Sequence, residues 1–244
     1  MAHLRLLWRL ALLLGLVLWH VPPHLVARAR RRPSRWPRLF LRRAAHAAGF
    51  DVAIAGAAPL PHDVFFIANH LSWIDILALG GGTGCAFIAK ESVRTAPVVG
   101  WLAAQNNTIY VARERRGAVS GQIASVRIAM AARQPVALFP EGTTGDGTAL
   151  LPFKSALFSV LLPPPRAIRI QPVVLDYGTA RALVAWRNGE SGLANARRIL
   201  AAPGRRRLVL RMLVPFDPGT HPDRKTLAAE ARRRIERALG GLED

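Results

Sequence analysis

Cysteine is nearly absent: Cys85 is the one thiol in 244 residues. A lone cysteine excludes a disulfide framework and any zinc site built on several thiolates. Acidic residues are scarce too, 15 Asp and Glu against 34 Lys and Arg, for a formal charge of +19 and a pI near 11.8. Lysine supplies only three of those bases (Lys90, Lys154, Lys225), and this arginine bias, alongside abundant alanine, carries no binding mode by itself. Residues 1–43 lack acids altogether and hold ten arginines, while the rest of the chain sets 24 bases against 15 acids. There is no internal repeat, and no low-complexity tract beyond the arginine cluster. Apolar content, by contrast, is high. At 51% hydrophobic residues and a mean hydropathy of +0.19, a disordered basic chain is excluded. Strong basicity combined with strong hydrophobicity leaves nucleic acid or an anionic membrane surface as the expected partner.

The segment ahead of the arginines chooses between them. Residues 10–21 carry no charge and are extended backwards by Leu6, Leu7 and Trp8 around Arg9. A bilayer span needs about 20 apolar residues, so this run is short unless Arg5 and Arg9 reach out to the head groups. A signal peptide fits the basic start and the Ala27-x-Ala29 pattern, but the dense arginines behind it disfavour export. A single span would leave those arginines on the cytoplasmic side. A monotopic anchor would bury Leu and Trp in one leaflet while residues 28–43 grip lipid phosphates. Trp8, Trp19 and Trp36 suit the interface in either case. Residues 1–45 are therefore expected to attach the chain to a membrane, and residues 46–244 to form the body, with a buried core helix as the remaining alternative. No nucleic-acid-binding motif is present, so no nucleic-acid partner is expected.

In the body, short apolar runs alternate with helical patterns. Strands are expected at 64–68, 85–89, 108–111, 136–139, 168–175 and 207–214. Helices are expected from 74 to 79, closed by Gly80–Gly82, and at 97–104, 119–132, 153–162 and 222–239. This alternation predicts an α/β fold: a mixed, mostly buried sheet flanked by helices, behind an N-terminal membrane-attachment helix.

Two constellations carry chemistry. Asn69-His70-Leu71-Ser72-Trp73-Ile74-Asp75 lies where a strand gives way to a helix. There a carboxylate five residues after a histidine can fix the imidazole tautomer while the other nitrogen takes a proton. The plain alternatives are a helix-start histidine and a first-turn acid favoured by the helix dipole. Phe139-Pro140-Glu141-Gly142-Thr143-Thr144-Gly145-Asp146-Gly147 forms a loop whose N–H groups can hold an oxyanion or a polar head group, unless it is an ordinary Gly-rich turn. Lys154 follows it, and Arg113 ends the strand-like 109–113. Both are also readable as solvated surface charges. Cys85, in an apolar strand, is expected to be structural.

These residues resemble the glycerolipid (lysophospholipid) acyltransferase family, best known for 1-acylglycerol-3-phosphate acyltransferases. Asn-His-x-x-x-x-Asp matches Asn69, His70 and Asp75, and a strand ending in arginine matches 109–113 loosely. Phe-Pro-Glu-Gly-Thr matches 139–143, with Phe153-Lys154 behind it, and a Val-Pro-Val-like strand matches 171–174. Four motifs in family order cover about 105 residues. The resemblance implies that His70 is the general base, held by Asp75, and that Arg113, Glu141, Gly142, Thr143 and Lys154 help form the substrate site. No metal is implied. The donor is an acyl thioester of CoA or acyl-carrier protein, and the implied acceptor is a lyso-lipid, 1-acyl-sn-glycerol-3-phosphate first. One departure stands out: Thr144 occupies a position where many phosphatidic-acid-forming members have arginine. The run from Thr143 to Phe158 resembles a bacterial subgroup that includes lyso-ornithine lipid acyltransferases, which makes a non-phosphate acceptor the alternative. An inactive, membrane-bound interaction protein is the more distant one, and the intact His70 and Asp75 speak against it. The implied location is the cytoplasmic face of the inner membrane.

Overall fold

The computed structural model describes residues 1–111, 126, 134–164, 166–187 and 189–242. Arg113 and, apart from Val126, the helix expected at 119–132 lie outside these. Among the described residues seven strands form one sheet: β1 (Phe50–Gly56), β2 (Val64–Ala68), β3 (Ala86–Lys90), β4 (Ile109–Val111), β5 (Val136–Leu138), β6 (Arg169–Asp176) and β7 (Arg206–Met212). Their order is β1-β7-β6-β2-β5-β3-β4, parallel throughout except between β6 and β7, so the sheet is mixed as expected. Among the described residues the helices with stated bounds are α1 (Ala2–Ala29), α2 (Trp36–Ala47), α3 (Ile74–Thr83), α4 (Glu91–Arg94), α5 (Val99–Gln105), α6 (Arg181–Val184), α7 (Gly192–Ala201) and α8 (Arg224–Gly240).

β2 lies inside the sheet between β6 and β5 and is buried at all five positions. Its side chains alternate between the two faces as a strand's must. Val64, Phe66 and Ala68 join the core beneath α3 and α7, with Ile74, Leu79 and Ile199. Phe65 and Ile67 join the opposite core, with Phe158, Leu227 and Ile235. Burying a Phe is worth roughly 1.5–3 kcal/mol, so this double-sided strand anchors the loop that follows it. The expected helix at 153–162 is instead a 3₁₀ segment, Ser155–Leu161.

α3 differs from expectation instructively. Gly80–Gly82 do not end it; the helix runs to Thr83 and stops at Gly84, whose φ of +77° is the left-handed conformation that closes helices. The glycines are there because α2 crosses too closely for side chains. A Cβ on Gly81 would sit 2.6 Å from the Arg42 backbone, and one on Gly80 would sit 2.6 Å from Leu41 Cδ1.

α1 is 28 residues long, apolar enough to cross a membrane by length and composition, and has its polar side turned inward. A full span would require Arg9 to reach towards lipid head groups. Instead it is buried, and its guanidinium donates to the carbonyls of Ile199, Leu200, Ala202 and Gly204 (2.8–3.3 Å). A helix end leaves such carbonyls unsatisfied, so a cation placed there is doubly favourable. Arg5 donates to Ala201 O at 3.1 Å. At the other end His24 meets Ser34 Oγ (2.8 Å), Arg43 meets His20 (3.0 Å) and Arg28 donates to Gln105 (3.1 Å). The outward face carries Leu4, Leu7, Trp8, Leu14, Leu18 and Leu25, all exposed and spaced as one helical stripe. α2 packs on α3 and buries Leu41, Ala44, Ala45 and Ala47, so a division at residue 45 falls within a helix that already belongs to the body's packing.

Candidate active site

The parallel neighbours β2, β5 and β6 direct their C-terminal ends to one edge, the place where α/β sheets present functional loops. His70 lies two residues past β2, Glu141 three past β5 and Tyr177 one past β6. His70 Nδ1 is 2.8 Å from Asp75 Oδ2. Asp75, in the first turn of α3, is fully buried. The same Oδ2 accepts the N–H groups of Leu71 (2.7 Å) and Ser72 (2.8 Å), while Oδ1 accepts the Tyr177 hydroxyl at 2.5 Å. Burial and the adjacent Asp75 carboxylate push the Tyr177 phenol well above its ordinary range, so it stays a donor. A carboxylate held by this many donors requires the imidazole proton on Nδ1 and leaves the Nε2 lone pair as the basic site. The ring stacks on Phe139, centroids 4.1 Å apart and planes 17° from parallel. This arrangement can take a proton from a hydroxyl and return it to a leaving group.

The loop 139–151 clamps His70 through its backbone. Glu141 is buried; its Oε1 accepts the His70 N–H (2.7 Å) and its Oε2 the Leu151 N–H (2.9 Å). Burial pushes its carboxyl upward, and those two N–H groups pull it partly back. Gly145 N–H donates to the His70 carbonyl at 2.9 Å. Gly142 turns the chain at a φ of +76°, its N–H donating to Phe139 O. The N–H groups of Gly142, Gly145, Thr148 and Leu151 are thus already engaged within the protein, which narrows what this loop can offer an oxyanion.

His70, Asn69 and Glu141 line a cleft of about 220 Å³, together with Gly147, Thr148, Arg181, Arg232 and Glu236. Thr143 and Thr144 line a larger adjoining hollow with Trp186, Arg187 and Glu190. Lys154 is exposed and lines neither. The structure therefore brings His70, Asp75 and Glu141 together, sets Gly142 in the turn beside them, and leaves Thr143 and Lys154 further out. Sequence reasoning placed Asn69 in the first motif but gave it no role; its amide pairs with both backbone groups of Leu175 (2.8 and 3.3 Å) and fastens the loop to β6. It gave none to Tyr177, Arg181 or Arg232 either. Tyr177 directly follows β6; Arg232 is one of several arginines on α8, and nothing in the spacing marks it out.

The chain matches the Acyltransferase family model over residues 51–176, just over half its length. It is 33% identical to the lyso-ornithine lipid O-acyltransferase of Pseudomonas aeruginosa over 258 aligned residues, covering 99% of this chain and 96% of that protein. A 1-acyl-sn-glycerol-3-phosphate acyltransferase of Neisseria gonorrhoeae is 34% identical over 114 residues, 46% of this chain and 45% of its own. The crystal structure of the 1-acyl-sn-glycerophosphate acyltransferase of Thermotoga maritima superposes with a TM-score of 0.70 at 21% identity, covering 100% of this chain and 98% of that one, and so has the same fold. With a histidine–aspartate pair at the head of the sheet, the motifs in order and similarity running the length of the chain, this protein is an enzyme of the acyltransferase family.

Proposed function

We propose that the protein is a membrane-associated O-acyltransferase that moves a fatty acyl group from an acyl thioester to the free hydroxyl of a lyso-lipid, with His70 as general base. The observation that carries this reading is the His70–Asp75 pair at 2.8 Å in a cleft with room for a hydroxyl. Nε2 takes the hydroxyl proton as the oxygen attacks the thioester carbonyl. The tetrahedral adduct collapses with cleavage of the C–S bond, and the imidazolium returns the proton to the departing thiolate. Asp75 stabilises the transient imidazolium. The donor is an acyl thioester of CoA or of acyl-carrier protein. No covalent acyl-enzyme is needed.

For the acceptor, lyso-ornithine lipid is favoured. The relative matching 99% of the chain bears that activity, and Thr144 replaces the arginine that would grip a phosphate. 1-Acyl-sn-glycerol-3-phosphate is the second reading, favoured by the motif order and by the Neisseria relative. Offered separately with one acyl donor, the two acceptors should differ in kcat/KM by at least about tenfold, since one lost charged hydrogen bond is worth about 1.5–3 kcal/mol. Equal rates would refute an acceptor preference set at this site.

Within residues 1–45 it is α1 that attaches the protein, while α2 packs with residues 46–244 as part of the acyltransferase body. Both ends of α1 are fastened to the body, and a helix of this length is about 42 Å long. An upright α1 would drag the polar body into the hydrocarbon, so α1 lies in the plane of one leaflet with its apolar stripe down. The reaction side is the cytoplasmic face of the inner membrane, where acyl thioesters are found. An epitope fused ahead of Met1 should be digested by protease from the same face of inside-out vesicles as one at the C-terminus. Digestion from opposite faces would establish a span.

A further inference from the structure

We infer that Arg181, Arg232 and Glu236 form a head-group site for a zwitterion, the carboxylate held by the guanidinium groups and the ammonium by Glu236. All three line the same cleft as His70. They come from two elements that the sequence motifs do not include: Arg181 opens α6, just after β6, and Arg232 and Glu236 lie one turn apart on α8. The inference rests on the lyso-ornithine reading above. An Nα-acylated ornithine keeps the amino acid's carboxylate and its side-chain ammonium, a separated pair of opposite charges.

The cations are held in place before any ligand arrives. Arg232 donates to the carbonyls of Leu150 and Leu151, both at 3.1 Å, and its Nε donates to Glu236 Oε1 at 2.7 Å. The guanidinium plane is thereby fixed against the 139–151 loop that also clamps His70. The stem of Arg181 is confined by the backbone of Gly147, where a Cβ would lie 3.0 Å from Arg181 Cγ and 3.3 Å from Ala185 Cβ. That glycine has a φ of +83°, so the loop's close approach and its conformation both depend on a missing side chain.

Glu236 is the informative member. In a cleft meant for a phosphate dianion a carboxylate is a like charge and works against binding. In a cleft meant for a zwitterion it supplies the second half of the recognition. An i,i+4 ion pair that merely dressed an exposed helix face would contribute little, and its removal would then leave both acceptors unaffected.

Glu236→Gln is nearly isosteric and sits on a partly exposed helix face, so the fold is retained. With the full chain in mixed micelles, kcat and KM are measured for lyso-ornithine lipid and for 1-oleoyl-glycerol-3-phosphate. Glu236→Gln should raise KM for lyso-ornithine lipid about tenfold, as expected for one charge-assisted contact, with kcat little changed, and leave KM for the phosphate acceptor equal or lower. Arg181→Gln should raise KM for both acceptors. Nα-palmitoyl-ornithine, which has the head group and no hydroxyl, should inhibit the parent competitively and the Glu236→Gln variant about tenfold more weakly. A parent enzyme inert towards lyso-ornithine lipid overturns the acceptor reading and the zwitterion assignment together. An active parent whose Glu236→Gln variant keeps the same acceptor preference overturns the head-group site alone.

Discussion

His70→Ala is expected to lower kcat for acyl transfer by roughly 10²–10⁴-fold, the usual contribution of a positioned general base. The loss should fall on kcat far more than on KM, because the imidazole acts as charge develops on the attacking oxygen. The fold should survive. His70 is tied to the loop through its own N–H and C=O, to Glu141 at 2.7 Å and Gly145 at 2.9 Å, and alanine keeps both bonds. The side chain's packing loss is confined to one stacked face against Phe139. Thermal denaturation and membrane attachment of the variant should therefore stay close to those of the parent. Wild-type-like turnover in a well-folded His70→Ala protein would end the general-base mechanism.

Asp75→Asn should cost a comparable factor, roughly 10²–10⁴ in kcat, by a different route. The carboxylate accepts from His70, Leu71, Ser72 and Tyr177 at once, and an amide has only one accepting oxygen. With the two backbone N–H groups fixed, that oxygen must occupy the Oδ2 position. The amide nitrogen then faces Tyr177, whose hydroxyl rotates from donor to acceptor. His70 keeps a neutral partner and its orientation, but the imidazolium formed during transfer loses its counter-charge in a buried site. Kinetics with each acceptor, alongside a folding check by circular dichroism, would read this out. A variant that folds and retains more than about a tenth of parental kcat would show that the negative charge is not required. Asp75→Ala is a poorer test, because it leaves two buried backbone donors unsatisfied at about 1–3 kcal/mol each and puts the fold itself at risk.

The parts of this molecule that were legible in its sequence are those encoded locally. β2, β3, β5 and β6 are apolar runs bounded by polar or turn residues, and buried strands look like that wherever they occur. The His70–Asp75 pair is five residues apart, close enough for one turn to bring it together. β1 was not anticipated: its sequence FDVAIAG mixes a charge and two alanines into an edge strand whose outer positions are solvated, so neither apolar content nor clean alternation marks it. The glycines of α3 read as a stop because their reason, the backbone of α2 passing at contact distance, lies forty residues away. Arg9 gives no sign of its burial for the same cause. Its partners, the carbonyls at the end of α7, are about 190 residues distant. Tyr177 and Asn69 act across separations of 102 and 106 residues, and only the register of β2 against β6 brings them to their partners. Side chains whose roles are set by sheet register leave no signature along the chain.

The scarcity of cysteine has a use at the bench. Each acyl transfer from a thioester liberates one thiol, whether the donor is CoA or acyl-carrier protein. The protein's own Cys85 is fully buried, and desolvation pushes its thiol up to about 12, far from the thiolate form that reacts with aromatic disulfides. A colour change from such a reagent therefore counts product alone. Turnover with either acceptor can be followed continuously in a cuvette, with no background from the enzyme and no lipid extraction.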